Sequence, residues 1–318
     1  MRRKICSTAW VLLICGATLA ACGESSDPAS GSGSPTSAAV TRSEVTFVDS
    51  TRPTARNGSY PGAPDRTLRT LIWQPSTVGA LPLFVMAHGF SGLPDRFEAI
   101  ASTIANAGFI VAAPAFPLTN QNAPGGYMHA FQDVGNQPGD VSFVITKLLE
   151  ANTTPGDPLY NRILPDNVAV LGHSLGGTTV EALTREPCCR DSRVRASMLF
   201  AAGPVSLFPN LFGTGPINAG PPTLVLQGTA DMTVSYETSV DLYAHIDPPR
   251  VFVGITGAGH ADAIEAPTFP LTNLQLVSER AIVAFLNAMF RGDNADLTAT
   301  LAALVAEGNS AESDETLP

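Results

Sequence analysis

The run Val168-Ala-Val-Leu-Gly172-His173-Ser174-Leu175-Gly176-Gly177 constrains this chain more than any other stretch. Four apolar residues in a row read as a strand buried on both faces, and the residues after Ser174 begin a helix. Between strand and helix the backbone must turn within a few residues. Glycines two positions to either side of the serine remove the Cβ atoms that would collide with the neighbouring strand and helix. A strand feeding a helix through so tight a turn belongs in a sheet covered by helices, and the rest of the chain has to supply that sheet.

From about Thr41 it does. Residues 45–48, 68–73, 83–87, 109–113, 168–171, 196–201, 223–227 and 251–255 form short apolar runs that read as strands, and residues 95–106, 139–150, 175–184, 235–245 and 273–290 have helical character between or after them. Alternating β and α predicts an α/β fold, a mostly parallel sheet of about eight strands with helices on both faces. The first two or three strands follow one another without a helix and are expected to run antiparallel. At 318 residues, 44% hydrophobic and 14% charged, the chain has the apolar content for one large core or at most two smaller ones, and is not expected to be disordered throughout. Its formal charge of −10 argues against a general phosphate-backbone binder, so nucleic acid is not an expected partner.

The ends read differently. Arg2, Arg3 and Lys4 precede an apolar run that is short for a bilayer span, the pattern of a secretory signal over residues 1–21. Leu19-Ala20-Ala21-Cys22 resembles a bacterial lipobox, in which the Cys22 thiol takes the lipid; an ordinary signal with a chance cysteine is the alternative. Cleavage removes three basic residues and no acidic one, and shifts the formal charge to −13. Residues 22–41, rich in Ser, Gly and Pro, are expected to be a flexible tether. The protein would then be exported and lipid-anchored to the outer side of the bacterial cell membrane, or secreted. A catalytic domain is expected over 42–292 and an acidic tail over 293–318, with one amphipathic helix at 295–306. After processing only Cys188 and Cys189 remain in the folded part, as a vicinal disulfide, as free thiols or as partner disulfides.

The serine of the turn has a chemical reading. Its backbone angles push Oγ into the open at a helix N-terminus, where free amides and the dipole favour developing negative charge. A neutral hydroxyl is a poor nucleophile and requires a base, which in turn requires a carboxylate to orient it. Asp231 follows the strand at 223–227, and His260 follows the strand at 251–255 in Gly257-Ala-Gly-His260. Catalytic groups in open α/β sheets gather at such carboxyl ends, so Ser174, Asp231 and His260 can converge. His173, His88, His129 and His245 compete for the base and Asp262, Asp241 and Asp247 for the acid, each with a poorer placement. For the oxyanion, the amide of Leu175 is one expected donor and that of Phe90, in His88-Gly89-Phe90 after the strand at 83–87, the other. The segments 116–138 and 203–222 are longer than connectors need. Phe208 and Phe212 in the second, with the ring of Phe90, are the candidate substrate-binding residues.

These motifs resemble the α/β-hydrolase superfamily. His88-Gly89-Phe90, Gly172-His173-Ser174-Leu175-Gly176, Asp231 and Gly259-His260 stand in that superfamily's order, over about residues 45–290. Gly108-Phe109 and Asn136-Gln137-Pro138-Gly139-Asp140-Val141 are similar to the branch of chlorophyllase-like, platelet-activating-factor-acetylhydrolase-like and polyester-cutinase-like enzymes. Dienelactone hydrolases share the fold but carry Cys where Ser174 stands. The resemblance implies a carboxylic ester hydrolase with a Ser-Asp-His triad, an acyl-enzyme intermediate, no metal or organic cofactor, and a small-molecule or lipid-like ester substrate. An acyltransferase of the same fold, or a catalytically silent binding lipoprotein, remain alternatives. Oligomeric state is not encoded in any of these motifs.

Overall fold

The computed structural model describes residues 39–213 and 219–314, with His129 by its backbone alone. The signal segment, Cys22 and most of the expected tether lie outside the described residues. Among the described residues nine strands form one sheet: β1 (Val40–Asp49), β2 (Arg66–Pro75), β3 (Leu81–Ala87), β4 (Ile110–Pro114), β5 (Ile163–His173), β6 (Val194–Phe200), β7 (Thr223–Gly228), β8 (Arg250–Ile255) and β9 (Ser310–Asp314). Their spatial order is β1-β2-β4-β3-β5-β6-β7-β8-β9. β1 and β2 pair antiparallel and β2 joins β4 antiparallel, while β4, β3, β5, β6, β7 and β8 run parallel. Pro82 is tolerated inside a central strand because the β3–β5 register shifts between Leu81 and Leu83, where a ladder donor is not needed.

Strand alternation divides the core. Leu83 and Val85 face the layer of α2 (Gln137–Thr153), α3 (Leu175–Arg185) and α5 (Tyr236–His245), and Phe84 and Met86 face α1 (Glu98–Asn106), α6 (Asn273–Arg291) and α7 (Asn294–Ala306). A single-turn helix, α4 (Pro209–Phe212), sits in the loop after β6. Both faces are therefore dry, which is why the strands read as unbroken apolar runs. Register aligns the carboxyl ends: Ala87 of β3 pairs with Gly172 of β5, His173 with Phe200 of β6, and Gly228 of β7 with Ile255 of β8.

One expectation needs correcting. Residues 294–314, expected to belong to an acidic tail over 293–318, are part of the fold: α7 buries Leu297, Leu301 and Leu304 against the α6 layer, and β9 extends the sheet antiparallel to β8. Arg250 on β8 anchors that edge through Asp314 at 2.6 Å. The domain therefore exceeds 42–292 at both ends, from Val40 through Asp314.

Candidate active site

The turn after β5 has the geometry its glycines foretell. Ser174 is the N-cap of α3 with φ 54° and ψ −122°, an uncommon region for a residue with a side chain, costing about 1–3 kcal/mol. The turn is tight enough that a Cβ on Gly172 would meet the Gly176 carbonyl oxygen at 2.0 Å, and one on Gly176 the Ala87 carbonyl oxygen at 2.2 Å. No other residue fits at either position. The amide of Ser174 donates to Phe200 O at 2.8 Å, which fixes the elbow to β6.

Loops at the ends of β7 and β8 bring the other two groups to the serine. His260 Nε2 lies 2.8 Å from Ser174 Oγ, and His260 Nδ1 lies 2.8 Å from Asp231 Oδ2. A carboxylate only accepts, so Nδ1 carries the hydrogen and Nε2 offers its lone pair to the serine hydroxyl. Burial pushes the Asp231 carboxyl up, but hydrogen bonds from His260 and from the amides of Val234 and Thr233 outweigh it and hold the group below its ordinary range. Asp231 is thus ionised at neutral pH and fit to stabilise an imidazolium beside it.

The loop His88-Gly89-Phe90 after β3 passes against this pair. A Cβ on Gly89 would stand 3.0 Å from Ser174 Cβ. His88, fully buried, accepts the Phe116 amide on Nε2 at 3.0 Å and donates from Nδ1 to Gly89 O at 2.7 Å, clamping the turn. Burial lowers its pKa to about 4, so it stays neutral in that role. Among the described residues neither the Phe90 nor the Leu175 amide has an acceptor.

Apolar side chains line one side. Leu175, Val134, Val205 and Phe212 form a small cluster against which Phe90, Phe208 and Leu211 pack. Phe90 stacks on Phe131 with centroids 4.5 Å apart and meets Tyr127 edge-on. Phe212 is buried and meets Phe208 edge-on, so Phe208 and Phe90 are the more open of the three expected substrate contacts. Cys189 packs on the same cluster and is disulfide-bonded to Cys188, which resolves the cysteine alternatives in favour of the vicinal bridge. A groove of about 950 Å³ opens at the opposite, amino ends of β5 and β6 and contains none of these groups.

Three site residues were not foreseen from sequence. Gln227, buried at the end of β7, donates from Nε2 to Asp231 Oδ2 at 3.0 Å and accepts Ser239 Oγ on its own oxygen. His173, a competitor for the base in the sequence, instead reaches the carbonyl oxygen of His260 through Nε2 at 2.9 Å. His88 clamps the Gly89 turn, with both ring nitrogens occupied by backbone groups. These roles depend on which strand lies beside which, and residue types alone carry no signal of that.

The model of the family described as chlorophyllase matches residues 44–211, just over half of the chain. The chain belongs to the chlorophyllase family. The matched region of this chlorophyllase-family chain contains the His88-Gly89-Phe90 loop and the turn at Ser174 and ends before Asp231 and His260. A solved ferulic acid esterase from Streptomyces cinnamoneus is similar in structure, with a TM-score of 0.60 at 18% identity, covering 82% of this chain and 93% of its own. That likeness reports the shared fold, the α/β-hydrolase fold. No curated protein matches the chain. Fold and family together make this chlorophyllase-family protein an ester-hydrolysing serine hydrolase.

Proposed function

We propose that Ser174 is the nucleophile of an exported serine esterase that cleaves esters with an apolar or aromatic acyl group, and that lipid on Cys22 holds it at the outer side of the bacterial cell membrane. The observation that carries the catalytic part is the pair of 2.8 Å contacts linking Asp231, His260 and Ser174 beyond the carboxyl ends of β7, β8 and β5. In the first step Ser174 Oγ bonds to the ester carbonyl carbon while its proton passes to His260 Nε2. The oxygen of the tetrahedral intermediate accepts from the amides of Phe90 and Leu175. Collapse breaks the bond to the alcohol, which leaves with the proton from His260. Water then attacks the acyl-enzyme by the same route, returning the proton to Ser174 and releasing the acid. Asp231 keeps the imidazole in the productive tautomer throughout.

Phe90, Phe208 and the flank of Leu175 favour an apolar or planar acyl group. Methyl ferulate, an aromatic ester of the kind the structural neighbour is named for, therefore belongs in the assay beside p-nitrophenyl butyrate. No helix of the described residues is long and apolar enough to cross a membrane. Ser174→Ala is expected to lower kcat at least ~10⁴-fold on both esters with the fold retained by circular dichroism. A variant within tenfold of the parent would overturn the assignment. Intact mass of the processed protein checks the anchor: acylated Cys22 at the amino terminus is expected, and an unmodified Cys22 contradicts it.

A further inference from the structure

We propose that His173 is a positioning residue, whose single hydrogen bond to the backbone of His260 sets the distance between the nucleophile and its base. The inference rests on the triad reading above. His173 is the last residue of β5 and precedes Ser174, and its pairing with Phe200 of β6 fixes its backbone. Its side chain is 3% exposed, with the ring edge-on to Phe200 and 4.9 Å from the ring of His260. The carbonyl oxygen of His260, 2.9 Å from Nε2, can only accept, so Nε2 carries the hydrogen. Nδ1 is then a bare acceptor and has no partner among the described residues.

The charged groups facing the ring are His260 and Asp231 of the relay, Glu265 at 3.8 Å, and Arg96, which is paired with Glu265 at 3.0 Å. Burial outweighs them and lowers the pKa of His173 to about 3, so the ring is a neutral donor of fixed tautomer across the working range. The loop bearing His260 is otherwise tied down at neighbouring residues: Ala258 O accepts from Ala230, Gly259 N donates to Asp262 Oδ2, and Ala266 N donates to Arg96 O. None of these fixes the carbonyl of His260. Apart from the Nε2–Oγ contact whose length it sets, the His173 bond is the direct tie between elbow and base among the described residues, and a misplacement of about 1 Å between reacting groups can cost on the order of 10² in rate.

His173→Leu fills similar space without a donor, and His173→Gln keeps an amide nitrogen at the reach of Nε2. With p-nitrophenyl butyrate, His173→Leu is expected to lose ~10²-fold in kcat with KM within about twofold of the parent, and His173→Gln to recover to within about tenfold of it. A Leu variant within threefold of the parent, or Leu and Gln variants equally impaired, would overturn the proposal. Ser174→Ala measured alongside separates the two readings: if it remains active the triad itself is wrong, and if it is dead while the Leu variant is active only the strut is wrong. Should the Leu variant fail to fold, ¹⁵N spectra of the histidine side chains of the parent protein decide. An Nε2–H tautomer of His173 that does not titrate between pH 5 and 8 is expected, and an Nδ1–H tautomer or titration in that interval contradicts the strut.

Discussion

At the scale of single residues, the site depends on polar groups whose hydrogens are forced into one arrangement. Asp231 accepts from His260 Nδ1, Gln227 Nε2 and the amides of Thr233 and Val234. Replacing it by Asn puts a donor where only an acceptor suits Nδ1–H, so the imidazole takes the wrong tautomer. Asp231→Asn should lower kcat on the order of 10⁴-fold with little change in melting temperature, and an active Asn variant would exclude this acid. Glu181 of α3 is a second forced group, buried while its Oε2 accepts the Val205 amide at 2.9 Å. Burial raises its pKa from the ordinary 4.5 to about 7, with the Val205 amide and Arg185 offsetting only part of the effect. Between those values the folded protein keeps a proton that the unfolded chain releases, so stability falls as pH rises through that window. Glu181→Gln keeps an acceptor for Val205 and cannot titrate. Urea melts should show the parent losing about 3 kcal/mol relative to this variant between pH 4 and 8, whereas parallel curves would remove Glu181 from the account. Ser174, Asp231 and His260 were legible because glycines and strand ends mark each of them. Gln227 and His173 were not, because a buried amide or imidazole acquires its role only from a partner across the sheet.

Among the elements, the segment that carries Phe131 is held to the sheet by charge. Arg66 at the start of β2 donates to Asp140 of α2 at 2.6 and 2.7 Å and to Asp133 of the 3-10 turn Phe131–Asn136 at 2.8 and 3.1 Å, all three side chains lying almost wholly out of solvent. That turn presents Phe131 to the ring of Phe90. Arg66→Met leaves the buried Asp133 without a cation and Asp140 with only Arg52, 2.9 Å away, and urea unfolding should record a loss of about 3–5 kcal/mol. A change below 1 kcal/mol would mean the cluster is open to water. Helices and parallel strands were readable from periodicity because both faces of the sheet are covered. β9 was not: Ser310-Ala-Glu-Ser-Asp314 is an edge strand with no apolar alternation, and its pairing comes from backbone and from Arg250. Long loops misled in a similar way, since the turns at 131–136 and 205–207 are fixed by tertiary contacts and not by local propensity.

For the whole molecule, the two ends of the chain differ in kind. Deleting residues 293–318 uncovers the surface that Leu297, Leu301 and Leu304 fill, worth about 6 kcal/mol at roughly 2 kcal/mol per buried leucine, and bares the edge of β8. That is a large part of what a domain has to lose, so the truncated protein should aggregate or melt far below the parent. A protein beginning at Ala39 should keep the parent's melting temperature and kcat/KM, since β1 begins one residue later. Equal melting temperatures for the parent and the carboxyl-terminal truncation would contradict the nine-stranded sheet. What unites the molecule is the convergence of the ends of β5, β7 and β8 on the Ser174 hydroxyl. The most direct check is to treat the protein with a fluorophosphonate and map the adduct by peptide mass, in the parent and in His260→Gln. The expected result is one adduct, on the peptide containing Ser174, formed at least ~10²-fold more slowly in the variant. Label on another residue, or equal rates in the two proteins, would contradict the relay.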